Sequence, residues 1–191
     1  VLILESEQVY RNPVICQQKE QKEIIYTEEQ RTAIQTFSRD YERGLRKTYL
    51  LYGVTGSGKT EVYMEMIAKV LSEGRQAIVL IPEIALTYQT VMRFYTRFGE
   101  RVSILNSRMS QGERYDQMER VKKGEVDIMI GPRSALFTPF EKLGLIVIDE
   151  EHEPTYKSEQ VPRFHARETA IERARMEGAS VVLGSATPSL E

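Results

Sequence analysis

Gly53-Val54-Thr55-Gly56-Ser57-Gly58-Lys59-Thr60 is an octapeptide that matches the pattern glycine, any four residues, Gly-Lys-Ser/Thr. This pattern folds around the phosphates of a nucleoside triphosphate. Glycines let main-chain N–H groups turn inward and form a nest of donors for phosphate oxygens. Lys59 supplies positive charge for the β- and γ-phosphates, and the Thr60 hydroxyl is a ligand for Mg²⁺. We therefore predict that residues 53–60 bind ATP, with Lys59 also acting in catalysis.

The sequence on either side of the octapeptide supports this interpretation. Before it, Thr48–Tyr52 is a short apolar run of the kind that a buried strand shows. After it, a helix is predicted to continue to Gly74. Its apolar face consists of Val62, Tyr63, Met66, Ile67, Val70 and Leu71. A strand, a glycine loop and a helix in that order aim the helix N-terminus at the anion. The alternative is a glycine-rich turn that binds nothing, but such a turn does not require a strand before it and a helix after it.

The rest of the chain alternates between apolar segments and helical patterns. Strands are predicted at Ala77–Ile81, Val102–Leu105, Val126–Ile130, Leu145–Ile148 and Ser180–Leu183. Helices are predicted near 83–98, 110–122 and 165–177, and a further one starts at Thr27, where Gln30 completes a capping box. Most strands are too apolar to be half solvated, which indicates an α/β fold with a mainly parallel sheet and helices on both faces. Residues 1–26, with strand candidates at Val1–Leu4 and Val9–Tyr10, are predicted to be a lead-in from a preceding domain, and 27–191 one domain.

Composition limits the kinds of partner. The chain has 191 residues, 41% of them hydrophobic, which is enough for one domain with a full core. The net charge of −2 provides no global basic field, so any contact with nucleic acid must be local. The single cysteine, Cys16, excludes an intrachain disulfide and a multi-cysteine zinc site within these residues. We expect no membrane span, because no apolar run is long enough, and a cytoplasmic location by default.

A second candidate site segment follows the strand at 145–148. Asp149-Glu150-Glu151-His152 places three acids and a histidine directly after this strand. The carboxyl ends of parallel strands form the edge where ligands of open α/β folds bind. Asp149 is the candidate partner of Mg²⁺ together with Thr60, and Glu150 the candidate group that orients and polarises the attacking water. The alternative for Glu150 is a solvated acid at the end of a strand.

These segments resemble motifs of a known superfamily. Asp149–His152 resembles the second motif of superfamily 2 helicases, the DEAD/DEAH-box relatives. Gly184–Pro188 resembles their Ser-Ala-Thr motif, which implies that His152, Ser185 and Thr187 couple the phosphate state to movement of nucleic acid. Thr27–Gln30 resembles the segment in which a glutamine reads the adenine edge, which makes Gln30 a candidate ATP contact. An exposed helical glutamine is the alternative.

The match is closer to one family of that superfamily. Ile81–Thr87, Gly131–Phe137 and Gly184–Leu190 resemble the bacterial primosomal protein N′ family of replication-restart helicases. The resemblance implies the first RecA-like lobe of a 3′-to-5′ DNA helicase that remodels stalled forks, promotes primosome assembly and uses Mg-ATP. It also implies forked or single-stranded DNA, other primosome proteins and single-strand-binding protein as partners, and a monomer. Asn106-Ser107 departs from the His-Ser expected there.

The same resemblance implies parts outside this sequence. A second RecA-like lobe, with an arginine finger and zinc-binding cysteines, is expected beyond residue 191. An arginine finger typically raises the rate of nucleotide hydrolysis by ~10³–10⁵-fold. We therefore expect the isolated piece to bind ATP weakly and to hydrolyse it poorly.

DNA contacts are predicted in the loops that follow two strands. Helix N-termini at Glu83 and near Arg133 are expected to present N–H groups to phosphate. The candidate contacts are Pro82, Arg108, Arg133, Ser134, Tyr156 and Phe164. The last two belong to segment 153–167, which resembles the family's aromatic-rich loop, and stacking of a base on either would contribute ~1–3 kcal/mol. Solvated arginines, and a Phe164 anchored in the core, are the alternatives.

Three other functions fit part of the pattern. A small-molecule phosphotransferase would use the same phosphate loop, but would need an arginine-rich lid in place of the acidic and Ser-Ala-Thr segments. A docking surface for primosome proteins is compatible with the acidic balance. An RNA or chromatin motor of the same superfamily is countered by the family resemblance alone.

Overall fold

The fold is built on one six-stranded parallel sheet. The computed structural model describes residues 24–159, 161 and 163–187. The strands, in chain order, are β1 (Thr48–Tyr52), β2 (Gln76–Leu80), β3 (Val102–Ile104), β4 (Ile128–Gly131), β5 (Leu143–Ile148) and β6 (Ser180–Ser185). Their order in the sheet is β1-β6-β5-β2-β4-β3, and every pairing is parallel.

In the part of the chain that the structure describes, five α-helices connect and cover the strands. They are α1 (Glu28–Glu42), α2 (Lys59–Ser72), α3 (Tyr88–Phe98), α4 (Gln111–Lys122) and α5 (Ala166–Glu177). Short 3₁₀ turns occupy Gly99–Arg101, Arg133–Phe137 and Pro154–Tyr156. The predicted start of α1 is confirmed, because the Thr27 side chain accepts from the Gln30 main chain and the Gln30 side chain accepts from the Thr27 main chain. None of the helices in the described part of the chain is both long and apolar enough to cross a membrane.

Two apolar clusters lie on opposite faces of the sheet. Along β2, Ala77 and Val79 belong to the cluster covered by α1, α2 and α3. Ile78 and Leu80 belong to the cluster covered by α5 and the end of α4. Successive strand residues point to opposite faces, so a strand covered on both sides must be apolar at every position. The predicted α/β sheet with helices on both faces is confirmed.

Two predictions about local structure are wrong. β1 is not a buried strand: it lies at the edge of the sheet with β6 as its neighbour, and Leu50 and Tyr52 are 55% and 66% exposed. No helix begins at Glu83, because Ala85 and Leu86 donate to the Pro82 carbonyl in a turn, and α3 begins only after Thr87, whose side chain caps it. The predicted helix N-terminus at Glu83, which was to present N–H groups to phosphate, is therefore absent. Most of the predicted lead-in, including both strand candidates, lies outside the described residues.

The strand order brings three segments of the chain to one place. β6 lies between β1 and β5, and all three end at the same edge because the sheet is parallel. The glycine loop follows β1, residues 184–187 complete and follow β6, and Asp149 follows β5. Segments that are far apart in sequence therefore become neighbours at the carboxyl edge of the sheet.

Candidate nucleotide and magnesium site

The glycine loop is a tight cradle at the N-terminus of α2. Gly56 and Gly58 have φ angles of 81° and 80°, in the left-handed region that favours glycine. A Cβ atom at Gly58 would lie 2.5 Å from Gln30 Nε2, and one at Gly53 would lie 2.7 Å from Ser57 Oγ. The loop therefore has no room for side chains at these positions. This shape and the helix N-terminus behind it fit a bound phosphate group.

Lys59 joins the cradle to the acidic segment. Its side chain is buried, and its Nζ donates to the Gly53 carbonyl at 2.7 Å and to the Val54 carbonyl at 3.4 Å. The same Nζ lies 4.0 Å from Glu150 Oε1. The ammonium group therefore lies between the loop and the end of β5, where phosphate oxygens would compete with these carbonyls for its hydrogen atoms.

Asp149 is held in a largely buried position. Burial raises the pKa of its carboxyl group, while the hydrogen bond from the Tyr63 hydroxyl and the charge of Lys59 lower it. Tyr63 donates to Asp149 Oδ1 at 3.0 Å. Oxygen donors such as the Asp149 carboxylate and the Thr60 hydroxyl are the ligands that magnesium prefers. This donor set fits magnesium, whose charge would favour the ionised carboxylate.

Glu150 combines a left-handed backbone conformation with a position between Lys59 and His152. Its φ angle is 48°, and no other non-glycine residue in the described ranges has a positive φ. Its side chain is 26% exposed and lies near Lys59 on one side, with Oε2 3.8 Å from His152 Nδ1 on the other. Strain of this kind persists where the surrounding structure imposes it, and it is concentrated at functional sites.

The end of β6 connects the two halves of the site. The Gly53 main chain donates to the Ser185 carbonyl, and the Glu151 main chain donates to the Gly184 carbonyl. His152 Nδ1 lies 3.0 Å from Ser185 Oγ, which also accepts from the Thr187 main chain at 3.1 Å. The residues predicted to couple phosphate state to movement are therefore in direct contact with each other. Their role in coupling stays a prediction.

Gln30 connects α1 to the glycine loop. Its Oε1 accepts from the Thr27 main chain at 2.9 Å, and its Nε2 donates to the Ser57 carbonyl at 2.8 Å. This places Gln30 at the side of the cradle, where the prediction puts it. Each end of the amide has capacity for a second hydrogen bond, so these contacts leave the predicted reading of adenine open.

Tyr156 does not fit its predicted role as a stacking platform for DNA. Its ring is 1% exposed, and its hydroxyl lies 3.0 Å from the Leu80 carbonyl and 2.7 Å from the Asp149 carbonyl. The tyrosine can be buried because its single hydroxyl hydrogen has strand-end carbonyls within reach as acceptors, while its ring fills the core. It thereby connects the ends of β2 and β5. The composition of segment 153–167 could not reveal this role, because Leu80, one of the two partners, lies 76 residues earlier in the sequence.

Two other candidate DNA contacts also have internal partners. Pro82 is buried, and its carbonyl accepts from Ala85 and Leu86. Arg133 is half-buried, and its Nη1 donates to the Thr155 and Lys157 carbonyls at 3.0 and 2.8 Å. Arg133 therefore holds segment 153–167 against the turn at Arg133–Phe137. Pro82 is buried, so the prediction of a DNA contact through its side chain is wrong. Arg133 uses only Nη1 in these bonds, and its contact with DNA stays a prediction.

The remaining candidate DNA contacts are accessible. Arg108 and Ser134 are exposed, and Phe164 is half-buried. Phe164 packs edge-on against Phe137, with ring centroids 5.2 Å apart, and Phe137 is 57% exposed. This pair leaves aromatic surface exposed at Phe137, and both the stacking role of Phe164 and its alternative as an anchor of the loop stay open. A cavity of about 410 Å³, lined in part by Asn106 and Arg108, lies beside the start of α3.

Three residues make contacts at or near the site that the sequence analysis did not predict. Tyr63 matched the apolar face of α2, yet its hydroxyl reaches Asp149. Glu151 is buried and pairs with Arg167 of α5 at 3.3 Å, which fixes the turn after Asp149. Asn106 Oδ1 accepts from the main chains of Arg108 and Met109 and so stabilises the loop after β3. Tyr63 and Glu151 act through partners that the fold brings near, whereas the partners of Asn106 are local in sequence.

Comparison with known proteins identifies the family. The DEAD/DEAH box helicase family profile matches residues 27–191. This chain belongs to the DEAD/DEAH box helicase family. The site described above therefore lies in the helicase domain of that family.

The chain is also similar to individual helicases. It is 50% identical to the replication restart protein PriA of Bacillus subtilis (strain 168) over 192 residues, which is 100% of this chain and 24% of that protein. It is 47% identical to PriA of Chlamydia pneumoniae over 164 residues, 85% of this chain and 22% of that protein. The predicted resemblance to replication-restart helicases is confirmed. The chain spans about a quarter of the length of these curated relatives.

A solved structure has the same fold. RecG bound to a three-way DNA junction matches 87% of this chain and 22% of its own chain, with a TM-score of 0.66 and 23% sequence identity. At this identity the match supports the fold alone. The predicted RecA-like fold is confirmed by it.

Proposed function

We propose that this chain is the ATP-binding motor lobe of a 3′-to-5′ DNA helicase that remodels stalled replication forks and promotes primosome assembly. The observation that carries the proposal is the convergence of three segments at one sheet edge. Lys59 of the glycine loop lies 4.0 Å from Glu150, and Ser185 contacts both the loop and the acidic turn. The similarity to replication restart proteins supports the biological setting, which is the bacterial cytoplasm.

Each residue of the site has a proposed task. The main chain of residues 53–60 holds the phosphates, and Lys59 neutralises charge on the β- and γ-phosphates. Thr60 and Asp149 would hold magnesium, which supplies further neutralisation of phosphate charge when bound. Glu150 orients the attacking water and accepts its proton. Gln30, beside the loop, contacts the adenine.

Coupling to DNA uses the contacts around β6. The His152–Ser185 contact and the Thr187 main-chain bond connect the acidic turn to the end of β6. Because Glu150 lies 3.8 Å from His152, a change at Glu150 would be passed to the end of β6 through this histidine. DNA, forked or single-stranded, would bind along the exposed edge near Arg108, Ser134 and Phe164. Other primosome proteins and single-strand-binding protein are the further proposed partners of a monomeric enzyme.

The test is the rate of ATP hydrolysis by the full-length protein with and without forked DNA. We expect forked DNA to stimulate the wild type and Lys59→Ala to abolish turnover. Lys69→Ala is the matched control, because Lys69 lies on the same helix but pairs with Glu42 and Glu73 away from the loop. Retained turnover in Lys59→Ala, or a wild-type rate indifferent to DNA, would overturn the proposal. Stimulation by duplex RNA in place of forked DNA would indicate a different substrate.

A further inference from the structure

Tyr63 makes a polar contact that its place in the sequence does not require. It lies on α2, one helical turn after Lys59, and its ring is 1% exposed within the cluster that fills one face of the sheet. A phenylalanine would fill the same volume. The hydroxyl, however, donates to Asp149 Oδ1 at 3.0 Å across 86 positions of sequence. The helix that begins at the glycine loop is thus bonded to the carboxylate proposed to hold magnesium.

Gly184 leaves the space that this hydroxyl occupies. A Cβ atom at residue 184 would overlap with the Tyr63 hydroxyl oxygen and would lie 2.8 Å from Tyr63 Cζ and 3.3 Å from Asp149 Oδ1. Gly184 is not among the glycines with a positive φ angle. Its backbone conformation is therefore open to any residue, and the need for glycine here is one of space. The hydroxyl, the carboxylate and the end of β6 meet at this point.

The hydrogen bond fixes the orientation of the carboxylate. A carboxylate on a short side chain can rotate about its last bond, and a donor at Oδ1 determines the direction in which Oδ2 points. The Asp149 main chain is held separately, because Tyr156 donates to its carbonyl at 2.7 Å. Two buried phenols from different elements thus hold the backbone and the side chain of one residue. Partners of this kind tune metal ligands in many proteins.

We propose that Tyr63 is a positioning residue that orients the Asp149 carboxylate for magnesium, and that Gly184 is glycine because the tyrosine hydroxyl occupies the space of its side chain. The inference rests on the proposed function, since it assigns Asp149 to the metal. It adds a connection from the helix of the glycine loop, through one hydroxyl, to the end of β6. A displacement of Gly184 would then move the Tyr63 hydroxyl and with it Asp149.

The experiment measures binding rather than turnover. Magnesium is titrated into the full-length protein with a fluorescent, non-hydrolysable ATP analogue, and nucleotide affinity is also measured without metal. For Tyr63→Phe we expect the half-saturating magnesium concentration to rise by ~10- to 100-fold, the effect typical of removing a partner of a metal ligand. Metal-free affinity should stay within about twofold, because the glycine loop is intact.

Tyr41→Phe is the matched control. Tyr41 belongs to the same apolar cluster and is equally buried, but its hydroxyl lies 3.5 Å from the Gly144 carbonyl, at the other end of β5. We expect its magnesium titration to match the wild type. A Tyr63→Phe titration that superimposes on the wild type, or an equal shift in Tyr41→Phe, overturns the inference and leaves the proposed function standing. A wild type that binds the analogue without regard to magnesium overturns the proposed function instead.

A second variant tests the role of Gly184 and does not depend on the first. Gly184→Ala should displace the Tyr63 hydroxyl and raise the magnesium midpoint in the same direction. In the double variant Tyr63→Phe/Gly184→Ala the overlap between the new Cβ atom and the tyrosine hydroxyl is gone, although the ring atom Cζ of residue 63 remains close to that Cβ. We expect the double variant to need no more magnesium than Gly184→Ala alone. Fold-changes that multiply would show two independent effects and contradict the proposed contact.

Discussion

Two regions at the same edge of the sheet differ in what their residues contact. The glycine loop, residues 53–60, presents a cradle made of main-chain groups, and only Lys59 adds a charged side chain from the loop itself. Segment 153–167 contains side chains suited to DNA, yet two of its strongest contacts are internal. Tyr156 bonds to the Leu80 and Asp149 carbonyls, and Arg133 bonds to the backbone of the segment from outside it.

The difference shows why one region could be assigned from sequence and the other could not. A main-chain cradle depends on local conformation, which glycine spacing encodes directly. A side chain such as Tyr156 or Arg133 has the same chemistry for a carbonyl of its own protein as for a nucleic acid. Which partner it meets depends on contacts far away in sequence. The contacts of Tyr156 connect segment 153–167 to the ends of β2 and β5, and contact of this segment with DNA stays a prediction.

The largest expected effect tests the acidic side of the cradle. Glu150→Gln keeps the size of the side chain but removes the group proposed to accept a proton from water. We expect the turnover number to fall by ~10²–10⁴, with affinity for the ATP analogue retained because the loop is unchanged. Steady-state hydrolysis and equilibrium binding in the full-length protein measure the two effects. Glu159→Gln, in the exposed part of segment 153–167, is the control and should hydrolyse normally.

That prediction also separates the two regions. If Glu159→Gln lost as much activity as Glu150→Gln, segment 153–167 would belong to the chemistry itself. If Glu150→Gln retained turnover, the strained residue after Asp149 would have no part in hydrolysis, and the backbone strain at that position would need another explanation.

A smaller effect is expected when Tyr156 loses its hydroxyl. Tyr156→Phe removes the hydroxyl that donates to the Asp149 carbonyl, while the Leu80 carbonyl keeps its bond from the Asp149 main chain. Loss of a donor to a buried group typically costs ~1–3 kcal/mol. Hydrogen exchange in the full-length protein should therefore be faster near residues 80–82 and 149–157. Tyr115→Phe is the control, because Tyr115 is 60% exposed and such changes are usually within about 0.5 kcal/mol. Unchanged exchange in Tyr156→Phe would contradict the role of the hydroxyl in connecting the strand ends.

The smallest effect distinguishes the two arginines at this edge. Arg108 is exposed, so Arg108→Ala should weaken DNA binding to a similar extent for all DNA sequences. The slope of log DNA affinity against log salt concentration should fall by about one, the contribution of one phosphate contact. Arg133→Ala should instead speed hydrogen exchange at residues 155–157, because its guanidinium holds their carbonyls. The salt dependence of DNA binding by Arg133→Ala should match that of the wild type. If Arg133→Ala reduced the salt dependence of DNA binding by about one charge, the Arg133 guanidinium would itself contact phosphate, and its structural role would be contradicted.

Much of the framework followed from local pattern. The capping box at Thr27 and the helix after Thr60 could be predicted because each depends on residues within one or two turns. The parallel sheet followed from apolar strands alternating with helices. Asp149 could be placed near the glycine loop because both follow strands, and parallel strands end at one edge.

The remaining features depend on contacts between distant segments. An apolar run such as Thr48–Tyr52 reads the same at the edge or the centre of a sheet, since neighbours in space decide its exposure. A turn at 82–86 stands where the first turn of the helix at 83–98 was predicted. The helix begins later because Thr87 is a better N-cap residue than those near Glu83. Tyr63 looked like one more apolar residue because its hydroxyl partner lies beyond β5.

The central claim is that the glycine loop and Asp149 hold one Mg-nucleotide between them. The most direct test is a crystal structure of the full-length protein with magnesium and a non-hydrolysable ATP analogue. We expect phosphate oxygens within hydrogen-bonding distance of the main-chain nitrogens of residues 56–60 and of Lys59 Nζ, and the metal between Thr60 Oγ1 and the Asp149 carboxylate. An analogue bound elsewhere, or a metal that has no contact with Asp149, would contradict the account.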